Sequence, residues 1–156
     1  GNFNAYDLPH PLKNKKNMNF SFSGIKTAVN LIVKNQKKIT QKFKEDMAAS
    51  FQNKIIEIII NKIERTIKML NNKNINIADI SIVGGVAANK ALRNSLFNND
   101  EINKYNTVYP PIEICGDNAA MIALVGLQKY KHKVKPDHLF NFKANPRLSI
   151  IESDNL

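Results

Sequence analysis

The sequence predicts an α/β fold built as one layered domain. A long run of apolar residues at helical spacing occupies the middle of the chain, two short apolar runs stand apart from it between breakers, and a helical pattern follows each of those runs. With 156 residues, 43% of them hydrophobic, the chain can bury roughly two-thirds of its unfolded surface in a single core.

The elements follow in order. Ser23 or Gly24 opens a helix with Ile25, Val29, Ile32 and Val33 on one side and Lys34, Lys37 and Lys38 near its C-terminal end, where cations oppose the negative pole. Thr40 is the next N-cap. From there Phe43, Met47, Phe51, Ile55, Ile58, Ile59, Ile63, Ile67 and Leu70 recur at three- and four-residue spacing, so a long helix presents one continuous apolar stripe. Asn71–Asn76 breaks the pattern, and Ile77–Val83 reads as a buried strand. Ala87–Phe97 reads as a helix, Asn98–Asn106 as a polar loop, and Thr107–Tyr109 as a short strand stopped by Pro110 and Pro111. A last helix spans Asp117 to Tyr130 with Met121, Leu124, Val125 and Leu127 turned inward.

The chain opens with Gly1, and residues 1–19 are polar and rich in Pro and Asn, which predicts a connecting segment ahead of a lobe over 20–147 and a tail over 148–156. A fragment of a longer protein is the expectation. No apolar run approaches the ~20 residues of a membrane span, and no leader pattern precedes a small-residue cleavage site. Cys115 is the single cysteine, which excludes an internal disulfide and favours a reducing, cytoplasmic setting. The net charge of +10 and pI near 9.7 favour an RNA partner, since lysine and arginine neutralise phosphates. Against this, only Arg65, Arg93 and Arg147 among the 23 basic residues are arginine, and an A+T-rich genome produces the same excess of lysine.

Three segments carry candidate chemistry. In "SIVGGVAANKALR" a strand runs into Gly84 and Gly85 and then into a helix, an arrangement that brings bare backbone amides and a positive helix end to the edge of a sheet. The glycines either clear space for a flat or anionic ligand or permit a tight turn. Asn89, one turn into the helix, either bonds a ribose or base or caps. In "YPPIEICGDNAAMIA", Asp117 either caps the helix or serves as a hard metal ligand; His10, His132 and His138 are not at metal-binding spacing, so a metal site needs ligands from elsewhere. Cys115 reads as a buried, inert thiol. In "FSFSGIKTAV", Ser23 and Lys26 form Ser-x-x-Lys, but no Ser-Asp-Asn follows, and a serine N-cap accounts for Ser23.

In this order and at these separations, the three segments closely resemble the C-terminal half of the TsaD/Gcp/Kae family, with "DMAASFQ" at Asp46–Gln52 adding to the likeness over residues 3–147. The resemblance implies a partial lobe of the actin/Hsp70/sugar-kinase (ASKHA, ribonuclease H-like) fold. It implies a tRNA threonylcarbamoyltransferase that moves threonylcarbamoyl from its adenylate, threonylcarbamoyl-AMP, to N6 of the adenosine beside the anticodon. Gly84, Gly85 and Asn89 then belong to the nucleotide-binding motif for ATP or the adenylate, and Asp117 to the iron or zinc site. A metal-polarised carbamoyl or phosphate group attacked by the adenosine N6 is the implied mechanism. The family's older description as a glycoprotease finds no support in these residues.

The family's two histidine ligands, first phosphate loop and second substrate aspartate lie in an N-terminal half outside this sequence. The expectation is therefore half a cleft, inactive alone, unable to hold a divalent ion on one carboxylate, and liable to self-associate. Expected partners are tRNA and the other subunits of the threonylcarbamoyladenosine-forming machinery, with no membrane. A scaffolding paralogue or a lobe of a small-molecule kinase of the same fold are the alternatives.

Overall fold

The structure is a computed structural model that describes residues 1–15 and 17–135. His138, the end of the expected lobe at 147 and the tail over 148–156 lie outside the described residues. The chain divides into two compact units, Gly1–Gly116 and Asp117–Leu156. The fold is mixed α/β with a small parallel sheet.

Helix α1 covers Ser23–Lys34 and α2 covers Gln41–Asn72, a 32-residue helix roughly 48 Å long. Ser23 is the first helical residue and not the cap: Phe22 holds the N-cap position, where no side chain accepts a bond, and the Ser23 hydroxyl lies 3.3 Å from that of Ser21. The helix instead continues its first turn through the Thr27 hydroxyl, which donates to the Ser23 carbonyl at 3.3 Å. Thr40 does cap α2, its Oγ1 accepting from the Phe43 N–H at 3.1 Å.

Helix α2 buries two faces rather than one stripe. Ile58 packs with Leu8 and Ile25 on one side, while Ile56, Ile59 and Ile67 pack with Leu92, Leu96 and Ile102 on the other. Leu8, inside the expected connecting segment, is therefore core. Phe51, expected in the stripe, is 36% exposed, whereas Lys62, outside the stripe, is buried. The Lys62 ammonium donates to the carbonyls of Leu12 and Asn17 at 3.1 and 2.9 Å, and Arg65 reaches those of Lys13 and Lys15 at 2.6 and 2.8 Å. Burial first, and the Arg65 charge second, lower the Lys62 pKa.

Strand β1 is Asp79–Ser81, shorter than the expected Ile77–Val83 and half exposed, with only Ile80 turned toward the core cluster. It pairs in parallel with β2, Asn106–Val108, in the register Asp79 to Asn106, Ile80 to Thr107 and Ser81 to Val108. Between them, Gly85–Ala88 forms a 3₁₀ turn and Lys90–Phe97 forms α3. The expected single helix over Ala87–Phe97 is thus interrupted at Asn89. The segment after α3 is more than a polar loop, because Ile102 is fully buried and Asn99 ties the turn, its Oδ1 accepting from the N–H groups of Glu101 and Ile102.

Helix α4 spans Ala119–Lys131 and is capped by Asn118, whose Oδ1 accepts from the Met121 N–H at 3.0 Å. Asp117 is displaced from the cap by one residue. Met121, Leu124, Val125 and Leu127 do not face inward: they are 44 to 56% exposed. This helix is the only regular element of its unit among the described residues, so no second described layer of that unit meets its apolar side chains. Among the described residues no helix is long and apolar enough to cross a membrane.

Candidate functional site

Gly84 and Gly85 follow β1 at its C-terminal end, and they are glycines for different reasons. Gly84 has φ 87° and ψ 172°, a conformation open essentially to glycine alone. Gly85 has no such backbone demand, and a Cβ built on it meets nothing within 4 Å. It lines a cavity of about 440 Å³ between the middle of α2 and the start of α3, walled by Phe51, Ile55, Ile59 and Leu92 and supplied with polar groups by Gln52 and Asn89. That volume falls in the range of small-molecule sites, which pair apolar walls with a few placed hydrogen-bonding groups.

Asn89 holds both elements of this wall in place. Its Oδ1 caps α3 by accepting from the Leu92 N–H at 3.0 Å, and its Nδ2 donates to Gln52 Oε1 at 3.1 Å across the cavity from α2. The motif segment Asp46–Gln52 and the glycine turn therefore meet in one place. One amide hydrogen of Asn89 and the amide of Gln52 are left to address a ligand.

Sequence reasoning missed the residue that fixes the turn. The Arg93 guanidinium, on α3, donates to the carbonyls of Ala87 at 2.6 Å and Pro110 at 3.0 Å, lies 3.4 Å from Cys115 Sγ, and sits 4.7 Å from the centre of the Tyr109 ring. Burial raises the Tyr109 pKa while Arg93 pulls the other way. One arginine thus clamps the glycine turn to the segment after β2. Its signal in the sequence is an arginine, rare in this lysine-rich chain, four residues after Asn89. Cys115 is 4% exposed and contacts Arg93 and the Pro110 carbonyl, as expected of a structural thiol.

Gly84, Gly85 and Asn89 belong to the first unit, whereas Asp117 opens the second and is exposed. Among the described residues no three of His, Cys, Asp and Glu come together to hold a metal ion. A single exposed carboxylate does not satisfy iron or zinc, so the described residues do not by themselves form that site. The Ser23 hydroxyl is directed to that of Ser21 at 3.3 Å, and among the described residues no hydrogen bond joins it to Lys26.

A family model described as TsaD, tRNA N6-adenosine threonylcarbamoyltransferase, matches residues 1–124. The chain belongs to the TsaD family. Its curated relatives named tRNA N6-adenosine threonylcarbamoyltransferase include that of Rickettsia massiliae (strain Mtu5), 41% identical over 157 residues, which cover 99% of this chain and 45% of the relative. The Pelagibacter ubique (strain HTCC1062) relative is 46% identical over 134 residues, covering 85% of this chain and 37% of the relative. That of Thermosipho africanus (strain TCF52B) is 40% identical over 156 residues, covering 96% and 43%. This TsaD-family chain spans less than half the length of these relatives and matches their C-terminal part.

Proposed function

We propose that this chain is the C-terminal half of a tRNA threonylcarbamoyltransferase, a partial lobe of the actin/Hsp70/sugar-kinase type, and that the cavity beside Gly85 takes the adenosine portion of threonylcarbamoyl-AMP or ATP. The observation that carries this reading is Gly85: neither its backbone nor its packing requires glycine, yet it borders the cavity where Asn89 and Gln52 converge. A flat base fits between apolar walls, and an amide pair supplies the directional bonds that distinguish one base edge from another.

In the reaction, N6 of the tRNA adenosine attacks the carbamoyl carbon, the new C–N bond forms, the bond from that carbon to the phosphate oxygen breaks, AMP departs and N6 loses a proton. This chain contributes binding and orientation to that step, which lowers the barrier by fixing the leaving nucleotide. Asp117 is proposed as one ligand of a metal completed by residues outside this chain, since among the described residues no group of three potential ligands surrounds it. The chain alone is expected to transfer nothing, and tRNA and further protein subunits are its proposed partners.

Calorimetric titration of ATP and AMP into the chain tests the reading. Asn89→Ser is the better polar variant than Asn89→Ala, because serine retains a cap for α3, whose loss alone costs about 1 kcal/mol. Binding that is lost in Gly85→Val and weakened in Asn89→Ser supports the site; binding unchanged in Gly85→Val overturns it.

A further inference from the structure

The nucleotide reading leaves a basic corner of the first unit unused. From Leu8 to Lys44 the chain carries nine lysines and no aspartate or glutamate, while all 13 acidic residues lie outside that stretch. An A+T-rich genome accounts for lysine in place of arginine. It does not account for the missing carboxylates, which reappear on both sides at Asp7, Glu45 and Asp46.

Five of these lysines, Lys34, Lys37, Lys38, Lys42 and Lys44, lie at the end of α1, in the connecting turn and at the start of α2, and all five are exposed. Lys42 is paired with Asp46 at 2.9 Å. The other four have no acidic partner among the described residues. Exposed Asn35, Gln36 and Gln41 are interleaved with them, so the corner presents cations and hydrogen-bonding amides, with its only nearby carboxylates in sequence at its edge, where Glu45 accepts from the Gln41 amide at 3.0 Å and Asp46 pairs with Lys42. Phosphate and sugar contacts draw on this set of side chains.

The corner also adjoins the candidate site. Lys44 borders an open apolar trough of about 400 Å³ between α1 and α2, and two residues of that trough, Ala48 and Phe51, also line the nucleotide cavity. Lys44 precedes Ala48 by one helical turn, about 6 Å along α2.

We propose that this corner docks the sugar–phosphate backbone of the substrate RNA immediately beside the nucleotide cavity. The proposal rests on the reading of the chain as half of a tRNA-modifying transferase. Lys34, Lys37, Lys38 and Lys44 supply the phosphate contacts, and the shared wall of Ala48 and Phe51 connects the docked strand to the site.

The test is fluorescence anisotropy of an unmodified, labelled tRNA transcript titrated with the chain over a salt series, without nucleotide. Each phosphate contact contributes roughly 0.7 to 0.9 to the slope of log K against log salt, so the triple variant Lys34→Gln, Lys37→Gln, Lys38→Gln is expected to flatten that slope by about 2 to 3. The control triple Lys68→Gln, Lys73→Gln, Lys104→Gln removes the same charge from elsewhere on the first unit and is expected to change the slope by less than about 1. Equal effects of both triples overturn the proposal, because diffuse charge then explains the binding. Displacement of the transcript by poly-glutamate at matched charge concentration overturns it in favour of an acidic protein partner. Failure here leaves the response of nucleotide binding to Gly85→Val intact, and loss of that response leaves the RNA measurement intact, so the two readings fail separately.

Discussion

Replacing Gly84 and Gly85 one at a time separates a glycine needed for the backbone from a glycine needed for a ligand. At φ 87° and ψ 172°, an alanine at position 84 is forced into a region that costs a side-chain-bearing residue about 1 to 3 kcal/mol. At position 85 the added methyl meets nothing within 4 Å and the φ is not in the left-handed region, so Gly85→Ala costs no contact and restricts the unfolded chain, a gain of about 0.4 to 1 kcal/mol. Urea unfolding reads both. With a slope of roughly 2 kcal/mol per molar urea, Gly84→Ala lowers the midpoint by about 0.5 to 1.5 M, while Gly85→Ala leaves it unchanged or raises it by a few tenths. A loss of more than about 1 kcal/mol in Gly85→Ala refutes the argument, since it means that the turn, and not a ligand, requires glycine there.

Arg93→Met keeps the apolar stem but removes charged bonds to the carbonyls of Ala87 and Pro110 and the contact with the Tyr109 ring, for an expected loss of about 2 to 4 kcal/mol. Hydrogen exchange should then speed up at residues 84–88 and 112–115 together; acceleration of one segment without the other contradicts the clamp. His10 has a buried, unpartnered Nε2, and burial first, then the Lys13, Lys54 and Lys62 charges against the opposing Glu57, hold its pKa below 6.5. Between that lowered value and 6.5 the unfolded chain binds the proton that the folded chain refuses, so stability falls as pH drops below 6.5. A melting temperature that declines from pH 7 to pH 5.5, with a smaller decline in His10→Asn, is the expected result, and equal declines in both exclude His10 as the cause.

The sequence by itself determined the helices α1, α2 and α4, the Thr40 cap, the position of β2 and the strand–glycine–helix order, because each depends on neighbours within a few residues: apolar spacing, a hydroxyl three residues before an amide, a pair of prolines. The likeness to the TsaD family was also legible, in motifs whose order survives without any knowledge of contacts. Tertiary structure alone decided what each side chain meets. Helix α2 lies between two apolar clusters, so Ile56 and even Lys62 are buried where a single stripe leaves them outside, while Phe51 borders a cavity. Asn89 became a cap because the chain first makes a 3₁₀ turn, and Arg93 became a clamp because α3 and the segment after β2 approach each other across 17 residues of sequence. Periodicity specifies which residues share a face; only the packed chain specifies what that face touches, and so that the backbone requires glycine at 84 and not at 85.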